Sequence, residues 1–263
     1  MTTMNEGMAM TSGARGVRSK QALLLVRPTI RTIRWAALLG GAAAAQLVLW
    51  AAKGELSKGG PIPLLPMRLA AVLLCLGAAF VLDDDAGATV EAAVASLMLR
   101  RGLRLALTVP VVGIAWGAAL WAASRLAASG RGTGSVAPPS LPVAGLAIEA
   151  AALLGVTLAA GAVATRSLGH GKGGVAAGPT LLAFVMAVLS LGRYWPLFPA
   201  ASSEPGWAAA HARWALILVA ATIVLAAFSL DPARRWSILR RRWRPQTHGR
   251  LVRASRAPVA GKP

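Results

Sequence analysis

The chain has 263 residues, of which 56% are hydrophobic and only 14% are charged, and its mean hydropathy is +0.60. This composition is too apolar for a soluble domain of this size and indicates an integral membrane protein. The 28 basic residues far outnumber the 9 acidic ones and give a formal net charge of +19. The positions of these basic residues relative to the apolar segments indicate how the chain is oriented in the membrane.

Six apolar runs have about the length that a helix needs to cross roughly 30 Å of hydrocarbon. They cover residues 35–52, 64–82, 105–123, 141–165, 179–195 and 208–230. The second run is the weakest, because prolines crowd its start and Arg68 must extend its side chain outward to the membrane surface. We predict an all-α, polytopic membrane bundle of about six transmembrane helices.

Lysine and arginine concentrate on one side of these spans. With six spans, most of them fall in the N-terminal segment 1–34, the loop 83–104, the turn near Arg166 and Lys172, and the tail 231–263. Because basic segments stay in the cytoplasm, both termini are predicted to be cytoplasmic and the protein to be a multi-pass plasma-membrane protein. Tryptophans are expected at the inner interface (Trp35, Trp236, Trp243) and the outer one (Trp50, Trp121, Trp195, Trp207, Trp214).

The tail at 231–263 contains RRWSILRRRWR, in which arginines are interleaved with tryptophans. Such a composition also occurs in nucleic-acid-binding patches. The position immediately after a span favours attraction to anionic lipid headgroups instead. We therefore predict anionic lipids and no nucleic acid as partners of the tail, with part of it disordered.

The loop at 83–104 begins with three consecutive aspartates and ends near the pair Arg100-Arg101. The helix dipole stabilises carboxylates at the start of a helix and cations at its end. Between them, apolar residues fall on one helical face: Val90, Ala93, Val94, Leu97 and Met98. We predict a short amphipathic helix at the inner membrane surface. It is either an interfacial connector or, since anionic headgroups repel the aspartates, a docking element for a protein partner.

The same loop carries a family resemblance. Acidic residues, a Thr-x-Glu element at Thr89-Val90-Glu91 and the paired arginines, in a six-span plan, resemble the membrane subunit of bacterial type-2 ABC exporters, and the Ala- and Arg-rich style is similar to permeases of high-GC bacteria. The resemblance implies a permease that forms an export path with a second permease subunit and binds a separate cytoplasmic ATPase. It implies that the residues at or near the ATPase contact are Asp84, Thr89, Glu91, Arg100 and Arg101.

An enzyme is not expected, and neither is a cofactor or a metal site. The stretch GHGKGG at 169–174 lacks the spacing and the Ser or Thr of a phosphate-binding loop, and is interpreted as a cytoplasmic turn. His170, His211 and His248 are scattered without metal-ligand spacing, and the single cysteine, Cys75, has no partner. The alternative to a permease is a membrane anchor or regulatory protein that recruits partners without transport.

Glu149 is the conspicuous ionisable residue inside the predicted spans. An intramembrane carboxylate is costly and usually faces a cavity or a partner, so one hypothesis is a polar site that handles substrate or protons. The other, which we favour, places Glu149 near the outer headgroups, paired with Arg125 or Arg193. Small residues at Gly40 and Gly155 are predicted to let neighbouring helices approach closely.

Overall fold

The computed structural model describes residues 26–27, 29–56, 64–83, 97–129, 141–168, 171–192, 194–199 and 204–230. Regular structure within these ranges is helical, without strands. The six main helices are α1 (Trp35–Ala51), α2 (Leu65–Ala78, extended by a 3₁₀ turn at Ala79–Leu82), α3 (Leu97–Ser129), α4 (Val143–Ser167), α5 (Gly173–Leu191) and α6 (Trp207–Ser229). A short helix, Lys53–Leu56, follows α1.

Five of these helices are long and apolar enough to cross a membrane: α2 with its extension, α3, α4, α5 and α6. Helix α1 is equally apolar but has 17 residues, which is about 25 Å at 1.5 Å per residue. The prediction of an all-α bundle with membrane-spanning helices is confirmed to this extent. The second span, which was the weakest in the sequence, is among those found.

Two helices begin earlier than the apolar runs predict. Helix α3 starts at Leu97 rather than 105, so Arg100, Arg101 and Arg104 belong to the spanning helix itself and not to a separate loop helix. Helix α5 starts at Gly173, which places Pro179 in its second turn instead of at its opening. The glycines ahead of Pro179 have low helix propensity, and for this reason the sequence did not predict the first turn of α5.

Helix α4 lies at the centre of the bundle and packs against α2, α5 and α6. Helix α2 in turn packs against α1 and α3. Fully buried side chains come from α1, α2, α4, α5 and α6: Leu38, Leu49, Met67, Leu146, Leu153, Leu181 and Trp214. By contrast, 22% of the span in α5 and 17% of that in α6 is buried, so these helices leave large apolar faces for lipid or another subunit.

Helices α1 and α2 touch backbone to backbone at Gly41 and Gly77. A Cβ on Gly77 would lie 2.7 Å from the carbonyl oxygen of Ala37, and one on Gly41 would lie 2.8 Å from the Cα of Gly77. The predicted contact at Gly40 is wrong by one residue, because Gly40 is exposed with nothing within 4 Å of a built Cβ. On α4 the prediction is confirmed, since a Cβ on Gly155 would lie 3.3 Å from the Cβ of Ala221 in α6.

We predict that Gly77→Ala destabilises the bundle, because the added methyl group has only rigid backbone to displace. Overpacking of this kind costs about 1–3 kcal/mol. The matched control, Gly40→Ala on exposed helix surface, should be neutral or slightly stabilising through helix propensity, by up to about 1 kcal/mol. Thermal unfolding in detergent measures both variants, and equal melting temperatures for the two would contradict the proposed contact.

Candidate functional site

The first two turns of α2, α4 and α6 each carry an ionisable side chain, and the fold brings all three together. They are Arg68, Glu149 and His211, which we call the Glu149 cluster. The cluster lies inside the protein, where Glu149 is only 2% exposed. Helices that run in the same direction place residues near their starts at a similar depth, and this explains why residues so far apart in sequence meet.

Arg68 and Glu149 form a bidentate ion pair. Arg68 Nε donates to Glu149 Oε2 at 2.8 Å, and Nη2 donates to Oε1 at 3.0 Å. The guanidinium also donates to the carbonyl oxygen of Pro199 at 2.9 Å and lies 4.8 Å from the ring centroid of Phe198. Parallel fork contacts of this type are the strongest ion pairs in proteins, and the aromatic face adds a cation–π contribution.

This pairing corrects two expectations from the sequence. Arg68 turns inward to a carboxylate instead of extending outward to the membrane surface. The partner of Glu149 is therefore Arg68, and not Arg125, whose guanidinium stacks on Trp121 at 5.4 Å. The other expected partner, Arg193, lies outside the described residues. The physical reason is that a buried carboxylate gains more from a bidentate partner that is equally buried than from a solvated one.

The segment 194–199 forms one wall of the cluster and is fastened to α6. Trp214 Nε1 donates to the carbonyl oxygen of Leu197 at 2.7 Å, and its ring lies 5.2 Å from that of Phe198. Trp214 is fully buried, so its predicted position at the outer interface is wrong, whereas Trp50 and Trp121 are exposed as an interface requires. Trp214 fixes the segment that supplies Arg68 with its carbonyl acceptor.

His211 completes the cluster from α6, although its spacing in the sequence gave no reason to single it out. Its Nδ1 lies 2.8 Å from the carbonyl oxygen of Trp207, and its ring lies 4.2 Å from the Trp207 ring. Its Nε2 lies 3.3 Å from Glu149 Oε1, but the contact is not aligned as a hydrogen bond. The imidazole is thus pressed against a carboxylate that already accepts from Arg68.

A second polar cluster, mostly buried and called here the Asp83 cluster, lies at the opposite ends of the helices and comprises Thr32, Asp83, Arg101, Arg104, Thr165 and Gly174. Asp83 is 2% exposed, and its Oδ1 accepts from the backbone N–H of Gly174 at 2.8 Å. The carboxylate thereby caps the start of α5, where the helix dipole favours negative charge. From the sequence we had expected the aspartates to stabilise the start of the helix that follows Asp83 in the chain, and not the start of α5.

Two arginines of α3 extend the Asp83 cluster to other helices. Arg104 donates to the carbonyl oxygen of Asp83 and to Thr32 Oγ1. Arg101 is 8% exposed, and it donates to Thr165 Oγ1 at 2.5 Å and to the carbonyl oxygen of Phe228 at 2.8 Å. The ends of α4 and α6 are therefore joined to the start of α3 through one guanidinium.

The predicted ATPase-contact residues are only partly described. Asp84, Thr89 and Glu91 lie outside the described residues, as do the first part of the predicted amphipathic stretch, up to residue 96, and the basic tail from 231. Arg100 is half-buried, and the guanidinium of Arg101 contacts the interior of the bundle. Contact of these residues with an ATPase stays a prediction.

Within the GHGKGG stretch, the described glycines at 171, 173 and 174 are explained by backbone conformation and close packing. Gly171 has φ of 79°, a left-handed conformation that suits glycine. A Cβ on Gly173 would lie 2.5 Å from Thr165 Cγ2 and 2.8 Å from Asp83 Oδ1. The start of α5 can reach the Asp83 carboxylate only because no side chain intervenes there.

Most of the length of a membrane-spanning helix separates the two clusters. Glu149 and Thr165 are about 24 Å apart along α4 at 1.5 Å per residue, against a hydrocarbon thickness of about 30 Å.

Among the described residues, no group of three or more His, Cys, Asp or Glu side chains could hold a metal ion. No family model, curated protein or solved structure is significantly similar to the chain.

We predict that Glu149→Gln lowers the stability by about 3–5 kcal/mol, because it leaves the Arg68 guanidinium buried without a counter-charge. The double variant Arg68→Met/Glu149→Gln should recover a large part of this loss. The exposed Lys172→Gln control should stay within about 0.5 kcal/mol of the parent. Thermal unfolding in detergent tests the cycle, and strictly additive losses would show that the two side chains do not interact.

At the other cluster, we expect Asp83→Asn to be milder than Asp83→Ala. Asparagine keeps an oxygen that can accept from Gly174 N–H, whereas alanine removes the cap of α5, which is typically worth about 1 kcal/mol. Hydrogen exchange of the amides at the start of α5 measures this directly. Similar protection at Gly174 in both variants would contradict the capping role.

Proposed function

We propose that the protein is the permease subunit of an ATP-driven exporter, coupled to a separate cytoplasmic ATPase through the segment that follows Asp83. The proposal rests on the sequence resemblance at 83–101 and on one structural observation. The residues that flank this segment, Asp83 before it and Arg101 and Arg104 after it, are all buried in polar contacts with other helices.

These contacts give a displacement of the segment a route into the bundle. Through Gly174 the Asp83 carboxylate holds the start of α5, and through Thr165 and Phe228 the Arg101 guanidinium holds the ends of α4 and α6. Arg104 adds the residues just before α1 through Thr32. A partner that moved the segment would therefore act on most of the helices at once, as a coupling element requires.

In this proposal α1 is a sixth span, both termini are cytoplasmic and the Asp83 cluster faces the cytoplasm. Positive charge supports that orientation. Basic residues gather at this end of the helices: Arg34, Arg100, Arg101, Arg104, Arg166 and Lys172. Basic residues next to the membrane are retained on the cytoplasmic side.

The export path itself would form between two permease subunits. Within the described residues the interior around α4 is filled by side chains such as Leu153 and Trp214, whereas α5 and α6 expose most of their apolar surface. An exposed apolar face suits either lipid or a second copy. A membrane anchor without transport activity is the competing function, and it needs no moving connection between the segment and the helices.

The association with an ATPase can be tested by gentle detergent extraction of a tagged copy from its native host, followed by mass spectrometry of co-purifying proteins. We expect a stoichiometric ATP-hydrolysing subunit. Glu91→Arg should abolish this association without loss of membrane insertion, because reversing a charge at the docking surface repels the partner. The matched charge reversal Glu204→Arg, at the opposite end of the helices, should retain it. Full association of Glu91→Arg would exclude this docking site.

The orientation can be tested with single cysteines at exposed positions. Tyr194 is 82% exposed near the Glu149 cluster, and Leu168 is 56% exposed near the Asp83 cluster, while Cys75 is buried. A membrane-impermeant maleimide should label Tyr194→Cys in intact cells, and Leu168→Cys only after permeabilisation. The reverse pattern would place the Asp83 cluster outside and exclude a cytoplasmic ATPase contact there.

A further inference from the structure

His211 is held between two oxygen atoms that both accept hydrogen bonds. Nδ1 is 2.8 Å from the carbonyl oxygen of Trp207, and because a carbonyl can only accept, Nδ1 must carry a hydrogen. On the other side of the ring, Nε2 is 3.3 Å from Glu149 Oε1. A ring turned by 180° would place carbon atoms opposite both oxygens, so this orientation is the one that the surroundings favour.

The neutral form of His211 does not fit this environment. With its hydrogen on Nδ1, neutral imidazole leaves an electron-rich Nε2 3.3 Å from a carboxylate oxygen, and Nε2 is buried without a hydrogen bond among the described residues. Unsatisfied buried polar atoms are rare in native proteins, and each one has a physical reason. One additional proton removes the conflict, either on Nε2 or on the Glu149 carboxyl group.

We propose that Glu149 and His211 together form a binding site for a single proton at this end of the bundle. In the proton-bound state the contact is either imidazolium against carboxylate or carboxylic acid against imidazole. Both arrangements are attractive and contain the same number of protons. In the proton-free state, two electron-rich atoms, Nε2 and Oε1, lie side by side at this contact between α4 and α6 without a hydrogen between them.

The neighbouring groups suit a site that gains positive charge. Arg68 from α2 and Glu149 from α4 are the described charged groups at the ring, and they neutralise each other through the bidentate ion pair. The ring of Trp207, on the same helix as His211, lies against the imidazole with 4.2 Å between the ring centroids. Segment 194–199 contributes the Pro199 carbonyl oxygen, and its ionisable Tyr194 is exposed.

The backbone is shaped to hold the ring in this position. Gly145 in α4 faces His211, and a Cβ there would lie 2.6 Å from Nε2 and 2.7 Å from Trp207 Cζ2. The imidazole of His211 thus occupies the space that the Cβ of any residue other than glycine at position 145 would need. Because the site joins the first two turns of α2, α4 and α6, release of the proton loosens the contact between α4 and α6 at this end. This goes beyond the proposed export function and does not depend on an ATPase.

The site can be tested by nitrogen-15 NMR of histidine-labelled protein in phospholipid vesicles, between about pH 5 and about pH 8. The chain has 3 histidines, so His211→Gln assigns the signal by its absence. Infrared difference spectroscopy on the same samples, with Glu149→Gln as reference, detects a protonated Glu149 carboxyl group. We expect part of this range to show either imidazolium at His211 or carboxylic acid at Glu149.

Glu149→Gln provides a matched variant. Glutamine has no negative charge and cannot bind the proton, and the Arg68 guanidinium beside it is left without a counter-charge, so His211 should become neutral with its hydrogen on Nδ1 across the range. The proposal is overturned if the parent protein shows neutral His211 and ionised Glu149 throughout. That result is read on the unmodified chain, and it therefore does not depend on whether a variant folds.

A second readout follows from the sign of the linkage. Because the proposed proton binds the folded cluster more tightly than the separated side chains of the unfolded chain, the stability of the parent should fall relative to that of His211→Gln as the pH rises and the site empties. A parent melting temperature that depends on pH in the same way as that of His211→Gln would contradict a proton bound at this site.

Discussion

A guanidinium and a carboxylate inside an apolar bundle must neutralise each other, and the arrangement of the helices depends on this constraint. The ion pair of Arg68 with Glu149 fixes the relation between α2 and α4, and α4 is the helix against which most of the others pack. Desolvation of the two charges is expensive, so the pair determines which packing is possible more than it adds to stability. Carbonyl and aromatic groups from the segment 194–199 complete its surroundings.

The same constraint acts at the other ends of the helices with a different result. There the buried charges belong to residues that border the segment 84–96, so satisfying them fastens that segment to four parts of the bundle. One buried cluster thus holds the parallel helices α2, α4 and α6 together, and the other connects them to the residues that border the segment 84–96. Between the clusters, glycine and alanine contacts allow the helices to approach closely without polar atoms.

The helical class and the positions of the spans could be predicted because apolar runs of membrane-crossing length rarely occur outside membrane-spanning helices. Helix starts were less predictable. Arg100 to Arg104 and the glycines before Pro179 resemble loop residues in sequence, and their helical state depends on tertiary contacts with Asp83 and Thr165. The partner of Glu149 could also have been found, since Arg68, Glu149 and His211 all lie near the starts of spans that run in the same direction. Their mutual distances, by contrast, depend on side-chain packing that no local pattern contains.

The central claim is that movement of the segment after Asp83 is transmitted to the helices that flank it. Pulsed electron paramagnetic resonance between spin labels on Met98→Cys and Leu168→Cys, both at exposed positions near the Asp83 cluster, measures this in a purified complex with the proposed ATPase. We predict that the distance between the labels changes when a non-hydrolysable ATP analogue is added, and that Arg101→Met reduces the change. An unchanged distance distribution in the parent complex, with the nucleotide bound, would contradict this claim.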